Sequence, residues 1–265
     1  MSDVPEPATP RPSDASESMP GGEDEPASGG LEPVPAEAPP QPSEWARVTL
    51  EEVAADPHIT AYIEVADEYL GAIGYTEHGF RHANLVAHIS GNILRRLGYD
   101  ERTAELGEIA GFMHDVGNCV GREFHGVTSA MLAKSALRHH GMDPREIAHV
   151  MNALGQHEEE FGTPANPIGA ATILADKADV HHTRVRNPDP AQFDIHDRVN
   201  YAAKRSFLRV DGEKRTLTLE IDIDTETSQV MEYFEIFLSR MQMCRTAAQV
   251  LGATFELVIN GTRLL

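Results

Sequence analysis

Residues 109–118 read IAGFMHDVGN, an apolar run that ends in a histidine, an aspartate and, two positions later, a glycine. Ile109 and Met113 continue the helical spacing begun at Leu106, so a helix capped by Asp100 reaches His114 and Asp115 and stops at Gly117. Ionisable groups set against a core are costly unless they are paired or bind a metal. Consecutive side chains on a helix diverge by about 100°, so His114 and Asp115 can serve one centre most easily where the helix ends. A lone His-Asp pair there has a plainer reading, since histidine suits the negative end of the helix dipole and aspartate caps the following turn. What lies around the pair decides between the two.

Outward from it, helical patterns fill the chain from Trp45 to about Lys204. Thr49 and Glu52 form a capping box, and Ile59, Ile63, Ala66, Leu70 and Ile73 keep helical spacing. Phe80 to Leu97 carries Leu85, Val86, Ile89 and Ile93 on one side before Gly98, and further helices cover about Gly126–His140 and Asp143–Gln156. Pro167 opens another, which the pattern carries towards Arg184. The sum is a bundle of about seven helices with short connections. After Lys204 the period becomes two: Phe207 to Val210 and Leu217 to Ile223 flank Asp211-Gly212 as a hairpin. A helix follows over about Ser228–Leu251, then a strand Thr254–Ile259 broken by Asn260-Gly261. This is a small ββαβ module, in which Met231, Met241, Met243, Phe234 and Phe237 fill a core or form a subunit contact in a homo-oligomer.

The bundle holds an ordered set of metal-type donors: His82, His114-Asp115, His125, His157 and Asp176, with separations of 32, 11, 32 and 19 residues. Independent structural histidines have no reason to fall in this order on successive helices. Imidazoles and carboxylates converging from several rigid elements are what a hydrolytic metal site needs. Glu158, Glu159 and Glu160 stand beside His157, where one of them can orient it. Lys177, His181 and Arg184 fall at i, i+4 and i+7 beyond Asp176, one helical face that with Arg186 can hold a substrate phosphate. The other histidines, His58, His88, His139, His140, His149, His182 and His196, have no such context.

The segments EHGFRHANLVAHIS (77–90), IAGFMHDVGN (109–118), REFHGVTSAMLA (122–133), ALGQHEEEFG (153–162) and ATILADKADV (171–180) together resemble the HD-domain metal-dependent phosphohydrolases. The resemblance implies a mainly α fold, an HD-type helical bundle over residues 45–204 followed by the small α+β module at 205–265. It makes His82, His114, Asp115 and Asp176 ligands of a first metal, Asp115 a bridge, and His125 and His157 ligands of a second, with Asp115 and His114 at the catalytic centre. Two divalent ions, of manganese, iron, cobalt, nickel, zinc or magnesium, would activate a water for attack on a nucleotide or other small phosphoester. Three positions depart from the family pattern: Asn118 replaces a common lysine, His78 stands where some members have glutamate, and Gln156 with FGTP replaces the cyclic-dinucleotide signature. An HD-type di-iron oxygenase and a non-catalytic nucleotide-sensing module remain alternatives.

Composition bounds the partners. The chain has 42 acidic and 22 basic residues, a net charge of −20. Ten of those acids and one base lie in residues 1–44, together with 11 of the 17 prolines and no aromatic residue, so this segment reads as a disordered acidic tail. The rest still carries −11, which excludes a protein that grips duplex nucleic acid by neutralising phosphates. There is no basic region followed by an apolar core at the N-terminus and no run of 18 apolar residues, so no membrane partner and a cytoplasmic location are expected. Cys119 and Cys244 are too few for a disulfide framework.

Overall fold

The computed structural model describes residues 45–159 and 162–265; the acidic tail lies outside the described residues. The helices are α1 (Leu50–Ala54), α2 (Pro57–Ala72), α3 (Phe80–Arg96), α4 (Glu101–Met113), α5 (His125–His139), α6 (Pro144–Gly155), α7 (Pro167–Lys177), α8 (Ile195–Ala202) and α9 (Val230–Val250). The strands are β1 (Ala203–Asp211), β2 (Thr216–Ile223), β3 (Thr254–Ile259) and β4 (Thr262–Arg263). The expected mainly α bundle with a C-terminal α+β element is what forms.

Most helix starts follow from local chemistry. Asp56, Asp100, Asp143 and Asn166 each accept a backbone N–H in the first turn, of α2, α4, α6 and α7, and Pro57, Pro144 and Pro167 occupy the first helical position of α2, α6 and α7. The Asp56-Pro57 pair therefore divides the first helical stretch into α1 and α2. The sheet order is β1-β2-β3-β4, with β2 and β3 parallel across α9 and the two outer pairings antiparallel. Strand β3 ends at Ile259, where the sequence places the break, and Asn260 and Gly261 follow it. Their φ values of 50° and 75° make a tight hairpin turn, which returns the chain as β4.

Two apolar cores share the interior. One joins Val53, Ile59, Ile63, Ile109, Met113, Leu137, Val150 and Leu154, from α1, α2, α4, α5 and α6. The other joins Ile93, Ile173 and Leu174 of α3 and α7 to Leu219, Ile221, Phe237 and Leu257 of β2, α9 and β3. The sheet and α9 thus pack directly on the helices that carry His82 and Asp176. That contact sets one wall of the site described next. No described helix is long and apolar enough to cross a membrane.

Candidate metal centre

The helix that leads to the His-Asp pair ends at Met113, ahead of the stop that the sequence places at Gly117. Met113 is the last residue of α4, His114 caps it, and Asp115 opens a short 3-10 turn, Val116–Cys119. Gly117 is required there because a Cβ would lie 2.1 Å from the carbonyl oxygen of His125 and 2.5 Å from the amide of Ser129. Its amide donates to Ser129 Oγ at 2.8 Å, which fastens the turn to α5. The pair and His125 are thereby locked to one another.

Six side chains converge. Asp115 Oδ2 lies 3.7 Å from His82 Nε2 and 3.3 Å from His114 Nε2, while Asp176 Oδ1 lies 3.4 and 3.7 Å from the same two nitrogens. The other oxygen of Asp115, Oδ1, lies 3.2 Å from His125 Nε2 and 3.7 Å from His157 Nε2, and those two nitrogens are 3.0 Å apart. One carboxylate therefore faces two donor groups, one through each oxygen.

The tautomers agree with this division. His82 Nδ1 pairs with Asp179 Oδ2 at 2.7 Å, His114 Nδ1 with the carbonyl of Gly111 at 2.8 Å, His125 Nδ1 with that of Arg122 at 2.9 Å, and His157 Nδ1 with that of Leu154 at 2.6 Å. With Nδ1–H donating outward, all four Nε2 lone pairs point inward. Two donors held about 2.1 Å from one ion are about 3.0 Å apart at octahedral angles and about 3.4 Å at tetrahedral ones, close to the separations of 3.0 to 3.7 Å found here. The donor set thus fits divalent ions.

Charge points the same way. Burial opposes ionisation of both carboxylates, yet the His114 imidazolium holds Asp115, and the Lys177 ammonium holds Asp176, well below the usual carboxylate range. Burial likewise opposes charge on His114, but Asp115 and Asp176 outweigh it and push its pKa up to about 10. His157 moves the other way, to about 4, through burial and the neighbouring charges of His125 and His114. The cluster demands positive charge that its own residues supply only in part.

A cavity of about 780 Å³ opens on four of these side chains, Asp115, His125, His157 and Asp176. Lys177 and Arg184 line it, whereas His181 and Arg186 do not. The expected helical face beyond Asp176 is not formed, because α7 ends at Lys177 and the chain turns at Asp179. That buried carboxylate accepts from Arg81 Nη2 at 2.8 Å and from His82, and it sits 3.6 Å from Arg184 Nε. It secures these donors only by leaving the helix. His181 then faces the carbonyl of Lys204 at 3.2 Å, and Arg186 pairs with Asp67. Lys177 Nζ lies 2.7 Å from Asp176 Oδ2 and 3.3 Å from Glu159 Oε1.

Glu158 orients His125 rather than its neighbour His157: Oε2 is 3.2 Å from His125 Nδ1, and Oε1 accepts from the Gly126 amide at 2.7 Å. Asn118 donates to both the carbonyl and Oδ1 of Asp115 at 3.0 Å, so it holds the carboxylate that faces both donor groups. His78 lines the cavity beside His82, with Nδ1 on the carbonyl of Thr76 at 2.6 Å. The residues that the sequence reading passed over are Asp179, Arg122, His196 and, from α9, Ser239 and Arg240. Asp179 had a signal, since it stands three residues after Asp176 within the quoted segment 171–180. Arg122 opens the quoted segment 122–133 but carries no donor of the array, and the others belong to segments with no motif.

Residues 79–184 match the family model described as "HD domain". The chain is 26% identical over 180 residues to an uncharacterized protein of Methanocaldococcus jannaschii, a match covering 59% of this chain and 68% of that protein. It is 32% identical over 105 residues to the Ribonuclease Y of Lawsonia intracellularis, covering 38% of this chain and 18% of that protein. HD domains bind divalent metals and are typically metal-dependent phosphohydrolases. All six converging side chains fall inside the matched span, and residues 79–184 of this chain are an HD domain.

Proposed function

We propose that the protein is a metal-dependent phosphohydrolase acting on a nucleotide or another small phosphoester, with His82, His114, Asp115, His125, His157 and Asp176 as metal ligands. The observation that carries this reading is the division of Asp115, with Oδ2 among His82 and His114 and Oδ1 among His125 and His157. Divalent ions in these two groups supply an activated water and neutralise charge on the phosphate. The chain supplies the rest. Asn118 fixes the plane of the bridging carboxylate, Asp179 and Glu158 hold the rings of His82 and His125, and Lys177 and Arg184 present positive charge to the cavity. A volume of about 780 Å³ suits a ligand of nucleotide size.

The test is metal analysis of protein purified without chelator, followed by a phosphoester screen with each candidate ion. Wild type is expected to carry divalent metal and turn over at least one small phosphoester, whereas Asp115→Ala loses both and stays folded. Full metal occupancy in Asp115→Ala overturns the assignment.

A further inference from the structure

Three of the four lysine and arginine side chains that line the cavity are already answered by carboxylates. Lys177 meets Asp176 and Glu159, Arg184 meets Asp179, and Arg240 meets Glu159 at 2.6 Å. Arg122 is the fourth. Among the described residues its recorded partners include no carboxylate: Nη1 lies 3.3 Å from Asn118 Oδ1 and 3.3 Å from His125 Nε2, and the guanidinium stands 5.3 Å from the centre of the Tyr75 ring. A half-buried guanidinium without a counter-anion is unexpected in a chain with 42 acids, and Nε and Nη2 donate to no described group.

The place of Nη1 is informative. His125 Nε2 is the atom that faces Asp115 Oδ1 and His157, so the guanidinium lies at the lone pair that a second ion would use. Two cations cannot share one lone pair. From the functional reading above, on which this inference rests, the geometry points to Arg122 as a substrate-gripping residue whose place depends on that half of the centre. With the His125 and His157 pair free of metal, Arg122 rests against it. With an ion there, Arg122 turns into the cavity and takes a phosphate oxygen of the substrate through its unused donors. The ligand class is a phosphate group next to the second donor set, bound in bidentate fashion as guanidinium geometry favours.

The test pairs Arg122→Gln and Arg122→Lys with wild type in two measurements: titration of the metal-stripped chain with Mn²⁺, and inhibition of phosphoester turnover by inorganic phosphate. Without a competing cation, Arg122→Gln is expected to bind its second Mn²⁺ about tenfold more tightly, with the first step unchanged. Its affinity for inorganic phosphate is expected to fall about tenfold, with KM rising more than kcat falls. Arg122→Lys keeps the charge and recovers part of the phosphate affinity without the paired contact. A merely structural arginine moves neither quantity in opposite directions. A second Mn²⁺ step in Arg122→Gln that is equal to or weaker than that of wild type overturns the assignment of Arg122 alone. A wild-type chain that takes up no Mn²⁺ at all overturns the functional reading first.

Discussion

Asp179 is not among the six converging side chains, yet it orients one of them. Its carboxylate receives His82 Nδ1 while Arg81 and Arg184 offset its burial, and its pKa is held far below the usual carboxylate range, with burial opposing and Arg184 leading the opposite effect. Asp179→Asn keeps the shape but removes the charge, and an amide can present its N–H₂ to Nδ1, so the proton on His82 would shift to Nε2 and block the inward lone pair. We expect a 10- to 100-fold loss of metal affinity and of activity, roughly the range for such supporting carboxylates, with helical content unchanged. Metal titration checks this, and wild-type affinity in Asp179→Asn would show that His82 needs no acceptor. The converging side chains were legible because metal-type donors are few in kind and their order along the helices is unusual. Arg122 and Arg240 were not, because arginine is common on any surface and only the fold shows which ones face inward.

At the level of elements, the join between the Val116–Cys119 turn and α5 bears most on the site. Gly117→Ala would force a methyl group into the His125 carbonyl and the Ser129 amide, displacing the start of α5. A cost of about 3 kcal/mol is expected, read as a lower urea midpoint, with loss of metal at the His125 and His157 half before the other. An unchanged midpoint would mean that the turn and α5 are not packed as described. Helix starts were readable from sequence, since Asp100, Asp143 and Pro167 act on their own first turns. The end of α7 was not, because no glycine or proline marks it. Its stop is a tertiary event, the capture of Asp179 by side chains 97 and 98 residues away. For the same reason α8, whose only local sign is Asp194 at its cap, escaped the periodicity.

For the molecule as a whole, the titration of the histidines sets a pH optimum of stability for the metal-stripped chain. His114, raised from 6.5 to about 10, stabilises the fold fully below pH 6.5, and this is lost as pH rises towards 10. His157, lowered from 6.5 to about 4, acts oppositely: below pH 6.5 the unfolded chain takes up a proton that the native state refuses until pH 4. His125 follows the first pattern and His78 the second. Each such group contributes a slope of about 1.4 kcal/mol per pH unit, so urea midpoints should peak near pH 6.5 and fall on both sides. Loading with divalent metal should flatten the alkaline limb, because the ion replaces the protons that His114 and His125 would otherwise lose. A metal-free profile that climbs steadily to pH 9 would contradict these protonation states. The wall contributed by α9 has a different kind of consequence. Every converging donor lies between His82 and Asp176, while Ile236, Ser239 and Arg240, some 60 residues later, close the cavity over them. Part of what decides which ligand fits is thus written outside the stretch that carries the donors. Descent can rewrite that later stretch and change what the cavity admits without disturbing a single converging donor.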